Sequence, residues 1–127
     1  MKILKLVSFD KFAQKQDISD EALCNAIERA EKGLIDADLG DGVIKQRIAR
    51  EREGKRGGFR VIVIFRSMER AFFIYGFAKN ERDNIRRDEK AAIKKLAPYL
   101  LNLSEEGVDA LIKNGTYVEV RRNGETI

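Results

Sequence analysis

The sequence predicts an α+β fold: an antiparallel sheet with helices from both ends of the chain packed on it. Three observations lead there. The stretches "GGFRVIVIFR" and "RAFFIYGFA" are β-branched or aromatic nearly throughout and are joined by the short polar turn "SMER". Such a pair reads as a hairpin buried on both faces, hence the middle of a sheet. Before it, "GVIKQRIA" alternates as a half-buried strand does, with Ile44 and Ile48 on one face and Lys45 and Arg47 on the other. On either side of this β region apolar residues recur at helical spacing, and strands flanked by runs of helix are the pattern of an α+β domain.

Taken in order, Ser8 is expected to cap a short helix carrying Phe9, Phe12 and Ala13, and Ser19 to open a second, with Asp20 and Glu21 favourable to its dipole. Ile18 and Leu23 have the spacing of a hydrophobic staple, Leu23, Ala26, Ile27 and Ala30 repeat helically, and Gly33 can close the helix in the left-handed conformation. "DADLGDG" begins like a calcium loop but has Gly40 at the fifth position and Arg47 at the twelfth, so it is read as a turn. In the hairpin, Arg60, Ile62, Ile64 and Arg66 share one side of their strand. After Asn84 a helix returns with Ile85, Ala92, Ile93, Leu96 and Leu100, and Pro98 should kink or end it nearby. Ser104 caps a last helix with Val108, Leu111 and Ile112, closed by Gly115, before the strand candidate "TYVEV".

Composition narrows the chemistry. A chain of 127 residues suits one core, so residues 1–127 are expected to form a single domain. Charged residues make up 36% of it, against roughly 25% in an average domain. The lone Cys24 excludes an internal disulfide and a cysteine-based zinc site, and the absence of histidine removes the usual metal ligand and the usual general base. No cofactor or metal is expected: "EGKRGG" has Ala49 where the first P-loop glycine would stand and no Ser or Thr after the lysine. The start, "MKILKLVSFDKFAQK", fits neither a signal peptide nor a membrane span, which points to a cytoplasmic protein. Net charge is +4, and the basicity sits in two blocks: residues 45–60 carry seven positive and two negative side chains, residues 79–95 seven positive and four negative. Two basic blocks around an apolar hairpin suggest an anionic partner, most often nucleic acid.

From Lys11 to Ile85 the chain reads "KFAQKQDISDEALCNAIERAEKGLIDADLGDGVIKQRIAR", then "GKRGGFRVIVIFRSMERAFFIYGFAKNERDNI" after a short interval. This resembles the RelE-like toxins of bacterial toxin–antitoxin modules, in the branch that carries the "YGFAKNERDNI" stretch. The resemblance implies a small RelE/ParE-type fold, a curved antiparallel sheet with helices on one side, a basic concave face, and a partner antitoxin, of helix-turn-helix type, that blocks it. It implies either cleavage of messenger RNA on the ribosome or, as in ParE-type relatives, inhibition of DNA gyrase; a non-toxic nucleic-acid-binding module is the third reading. Fold alone does not choose among them.

RNA cleavage through the substrate's own 2′-hydroxyl needs a proton acceptor, cations against the developing phosphorane charge, and a proton donor for the leaving oxygen. Lys79, among other cations at the strand exit, is the first candidate base and Glu81 the second. Arg60 would hold the scissile phosphate bidentately and Arg82 would add charge stabilisation. Lys45, Arg47, Lys55, Arg56 and Arg66 would bind the RNA backbone. Asn80, Asp83 or Asn84 could instead cap the next helix. Tyr75 and Phe77 could stack on bases, though their apolar neighbours favour the core. So weak an acid–base centre should need substrate held for it by the ribosome.

Overall fold

Residues 1–50 and 54–122 are described by the computed structural model of the protein, with side chains given outside 50–57. The element order is β1 (Lys2–Leu6), α1 (Val7–Lys15), α2 (Asp20–Glu31), β2 (Ala37–Gly40), β3 (Val43–Arg50), β4 (Gly54–Arg66), β5 (Arg70–Ala78), α3 (Arg87–Leu101), α4 (Glu105–Lys113) and β6 (Tyr117–Glu119). The strands form one open sheet in the order β2-β3-β4-β5-β1-β6. All neighbours are antiparallel except β1 and β5, which run parallel.

The predicted α+β layout is present, with corrections at its margins. The chain does not begin with a helix: Lys2–Leu6 is a strand beside β5, placing the N-terminus inside the sheet. Ser8 therefore does not cap α1. The strand runs directly into the helix at Val7, whose amide bonds the Thr116 carbonyl at 3.0 Å, and Leu6 holds the capping position without a side-chain bond. Ser19 and Ser104 cap as expected, accepting from the amides of Ala22 and Gly107. The acidic turn after α2 includes the short strand β2, which pairs with β3. Helix α3 continues through Pro98 and ends at Leu101, because the missing proline amide costs only one bond in a final turn already anchored below.

Helices cover both faces rather than one. On one face α1 and α2 bury Phe9, Leu23 and Ile27 against Ile44, Phe59, Val61, Val63 and Phe73. On the other, α3 and α4 bury Ile93, Ala97, Leu100 and Val108 against Leu4, Val43, Ile62, Ile64 and Phe72. Buried polar groups tie these layers together. Gln46, fully buried, donates to the Ala26 and Leu34 carbonyls and accepts from the Asp36 amide, fastening the end of α2 to β3. Lys5 lies between Asp10 and Asp20, 2.8 Å from each. Burial pulls its pKa down, but the two carboxylates outweigh this and leave it raised. Arg70 donates to the Leu100 and Leu103 carbonyls and pairs with Glu105, satisfying the C-terminal end of α3. Among the described residues no helix is long and apolar enough to cross a membrane.

Candidate functional site

Three central strands gather the basic residues. Arg47 on β3 stands opposite Arg60 on β4, which stands opposite Phe77 on β5; one step along, Lys45, Ile62 and Tyr75 form the next row. Neighbouring strands lie about 4.8 Å apart, so Lys45, Arg47 and Arg60 form a compact cationic group on the sheet face that α3 shares, with two aromatic rings beside it.

The rings reach that face because of a bulge. The β4–β5 register shifts between Ile62 and Val63, so that Ile62 opposes Tyr75 while Val63 opposes Phe73. One extra residue on β5 reverses the alternation beyond it. Tyr75 and Phe77 then share a side with Arg60, and Gly76 turns toward α1. A Cβ at Gly76 would lie 2.5 Å from Phe12, so the close approach of that ring needs a glycine. Phe77 is buried, as the apolar neighbours indicated, and Tyr75 is half-buried. Past Phe77, the Lys79 amide bonds the Gly58 carbonyl at 3.0 Å, which continues the ladder and keeps Lys79 with the group.

Electrostatic crowding marks one lysine. Partial burial of Lys45, reinforced by repulsion from Arg60, Lys79, Arg47 and Lys90, lowers its pKa below the usual lysine value. Arg60 is lowered by burial and by Arg47, with Asp36 opposing, yet a guanidinium stays charged. Arg60 also donates to the Phe59 carbonyl at 3.5 Å. Arg47 is steadied by Asp36, which accepts its backbone amide at 2.7 Å and approaches its Nε at 3.5 Å, while its side chain remains 48% exposed.

The loop "KNERDN" is tightly bonded. Lys79 pairs with Asp83 at 3.1 Å. Arg82 reaches Glu89 at 2.7 Å, the Tyr75 hydroxyl at 2.9 Å and the Asn84 carbonyl at 3.0 Å, and its guanidinium lies over the Tyr75 and Phe77 rings. The Asn84 side chain accepts from Lys45 Nζ at 3.2 Å and from the Ile85 amide at 2.9 Å. None of Asn80, Asp83 and Asn84 caps α3. Arg86 holds that position, and the Glu89 carboxylate accepts its amide at 2.7 Å. Hydrogen bonds from Arg82 first, then from Arg86, hold the Glu89 carboxyl down at about 2.

Of the residues read from the sequence, the structure brings Lys45, Arg47, Arg60 and Lys79 together, with Arg82 bonded at their edge. Glu81 is exposed on the turn, its amide bonded to the Ala78 carbonyl. Arg66 stands at the far end of β4, about 20 Å along the strand from Arg60, where it donates to the Leu101 carbonyl at 2.9 Å. Lys55 and Arg56 lie outside the residues whose side chains are described. Sequence reasoning missed Glu89 and the side-chain role of Asn84. Glu89, in the first turn of α3, was legible as a capping carboxylate; the contact of Asn84 with Lys45 spans 39 residues and leaves no local signal. A groove of about 640 Å³ lies elsewhere, between the β2–β3 turn and α3 over Phe65, Pro98 and Leu101. Among the described residues no three of His, Cys, Asp and Glu gather as metal ligands would.

A search of curated proteins returns no match. The family model described as the RelE toxin of the RelE / RelB toxin–antitoxin system matches residues 1–120. That span takes in every strand and helix of the described fold, and the chain belongs to the RelE toxin family: it is a toxin of a toxin–antitoxin system, with an antitoxin as its partner.

Proposed function

We propose that this toxin stops translation by cutting messenger RNA on the ribosome, with Lys45, Arg47, Arg60 and Lys79 as the reacting face. The observation that carries this reading is the half-buried Lys45 amine, ringed by cations from β3, β4, the end of β5 and α3 that favour its neutral form. In a chain without histidine, an amine whose neutral form is favoured, beside fixed guanidinium groups, can accept the 2′-hydroxyl proton. The 2′-hydroxyl gives its proton to Lys45 as its oxygen bonds phosphorus. The bond to the 5′-oxygen breaks, and that oxygen takes a proton from the Lys79 ammonium, leaving a 2′,3′-cyclic phosphate and a 5′-hydroxyl. Arg60 grips the phosphate through its planar fork and Arg47 the flanking backbone.

This assignment moves the base from Lys79 to Lys45, the amine whose pKa burial and neighbouring cations lower, while Lys79 pairs with Asp83 at 3.1 Å. Glu81 is the second acceptor, open to solvent on the turn. Arg82, with its donors engaged by Glu89, Tyr75 and Asn84, acts on charge at a distance. The face is open, with Lys79 38% exposed, so the RNA must be held in attack geometry by another body. The ribosome supplies that constraint, and the neighbouring reading frame of a toxin–antitoxin pair supplies a helix-turn-helix antitoxin.

The test is induced expression in bacteria of wild type, Lys45→Ala and Lys79→Ala, with growth followed and message ends mapped by primer extension. Arrest with new message ends that vanish in both folded variants supports the reading. Arrest with intact messages and damaged DNA overturns it in favour of a gyrase-binding toxin, and no arrest at all in favour of an inactive nucleic-acid-binding module.

A further inference from the structure

The loop between β5 and α3 does more than line the face, and one of its residues touches the lysine assigned as base. We propose that Asn84 is the positioning residue for Lys45, held in place by a hydrogen-bonded chain that runs through Arg82 to Glu89 on the first turn of α3. The inference rests on the nuclease reading above for its consequence in catalysis, though its geometry stands apart from it.

The chain is continuous. Lys45 Nζ donates to Asn84 Oδ1 at 3.2 Å, and the same oxygen accepts the Ile85 amide at 2.9 Å. Two donors on one atom fix which end of the amide faces Lys45, since the NH₂ end could accept neither. The Asn84 carbonyl is in turn held by Arg82 Nε at 3.0 Å, and Arg82 by the Glu89 carboxylate at 2.7 Å and the Tyr75 hydroxyl at 2.9 Å. Glu89 is itself fixed by the Arg86 amide at 2.7 Å. Lysine is the least pre-organised of the basic side chains, and this one stands among cations that repel it: Arg47 on its own strand, Arg60 on β4, Lys79 at the end of β5 and Lys90 on α3. The charged groups bonded along the chain are Arg82, Arg86, Glu89 and, through Arg86, Asp88, and Lys79 carries Asp83 as its own partner. A neutral acceptor is suited to that place. It orients the amine without adding the negative charge that would hold the proton on. A carboxylate at the same position would do the opposite.

The experiment uses the full chain with ¹³C-labelled lysine. The Lys45 Cε resonance, assigned by its loss in Lys45→Ala, is titrated by NMR in wild type, Asn84→Asp, Asn84→Ala and Glu89→Gln. Asn84→Asp, nearly isosteric, is expected to move the Lys45 titration to higher pH. Asn84→Ala and Glu89→Gln, which remove or loosen the acceptor of the charged form, are expected to move it lower. In parallel, single-turnover cleavage on stalled ribosomes is expected to lose between about ten- and a hundredfold in rate for Asn84→Ala, with a smaller change in half-saturating concentration, as loss of orientation requires. A Lys45 titration indifferent to both Asn84 substitutions overturns the positioning role, whatever the cleavage activity. Shifts in the expected directions in a wild-type protein that cuts no message support the positioning chain and sink the nuclease reading instead.

Discussion

Lys45 concentrates what the site can do, and its substitutions separate the parts it plays. Lys45→Arg keeps the positive charge but cannot present a neutral nitrogen, so cleavage is expected to fall about 10²- to 10⁴-fold, the range of a lost general base, while binding of RNA persists. The rate of the wild type should rise with pH toward a limit below the ordinary lysine range, since the lowered pKa sets where the amine becomes neutral. A profile flat through that range, measured by single-turnover cleavage, would remove Lys45 from the chemistry. Gly76 is the second residue whose identity is dictated locally. Gly76→Ala would drive a methyl group into the Phe12 ring and is expected to destabilise by about 1–3 kcal/mol, read as a lowered midpoint in urea. The sequence marked Lys45 only as one of several RNA-backbone contacts on an alternating strand, and carried no local signal for the contact of Gly76 with Phe12.

Among the elements, α3 is held at both ends by charge. Its last carbonyls are taken by Arg70 and Arg66 from the two ends of the β4–β5 turn, and its first turn by the Glu89 bonds to Arg82 and Arg86. The Glu89 carboxyl sits at about 2, below its ordinary 4.5, so the stability it adds is complete above about 4.5 and is lost as pH falls toward 2. Denaturant titrations across that interval should therefore show a loss in wild type that Glu89→Gln lacks. A parallel acid dependence in both proteins would place the effect elsewhere. The buried Gln46 amide on β3 ties that strand to α2, beside the bond from Arg29 to the Arg47 carbonyl. Gln46→Leu leaves the Ala26 and Leu34 carbonyls and the Asp36 amide without their buried partner, at a cost of about 1–3 kcal/mol per group. The midpoint of unfolding should drop, and Gln46→Glu, which sets a buried carboxylate against two carbonyl oxygens, should lower it at least as far. The sequence showed β3 and α2 correctly from periodicity but not the bond between them: alternation puts Gln46 on the face of Ile44 and Ile48, yet its partners Ala26, Leu34 and Asp36 stand 10 to 20 residues away.

At the scale of the whole molecule, the sheet divides the work: one face is sealed by α1 and α2, and the other is shared between α3, α4 and the cationic group. Binding of single-stranded RNA to that face should weaken with salt, and Arg47→Ser should reduce the logarithmic slope by about 0.7, the share of one phosphate contact. An unchanged slope in a fluorescence-anisotropy titration would take Arg47 out of the binding surface. Much of this was readable in advance. Helical and alternating patterns, serine caps and the doubly apolar hairpin are local properties, and they marked the central hairpin, β3, all four helices and the terminal strand β6, together with the two basic blocks. What the tertiary structure alone decided depends on residues distant in the chain. The parallel pairing of β1 with β5, the burial of Lys5 between Asp10 and Asp20, the removal of Arg66 to the foot of α3 and the contact of Asn84 with Lys45 have no local signature. The bulge beyond Ile62 is the clearest case: a single inserted residue changes which side chains share a face with Arg60, and only the pairing of two strands shows where it falls.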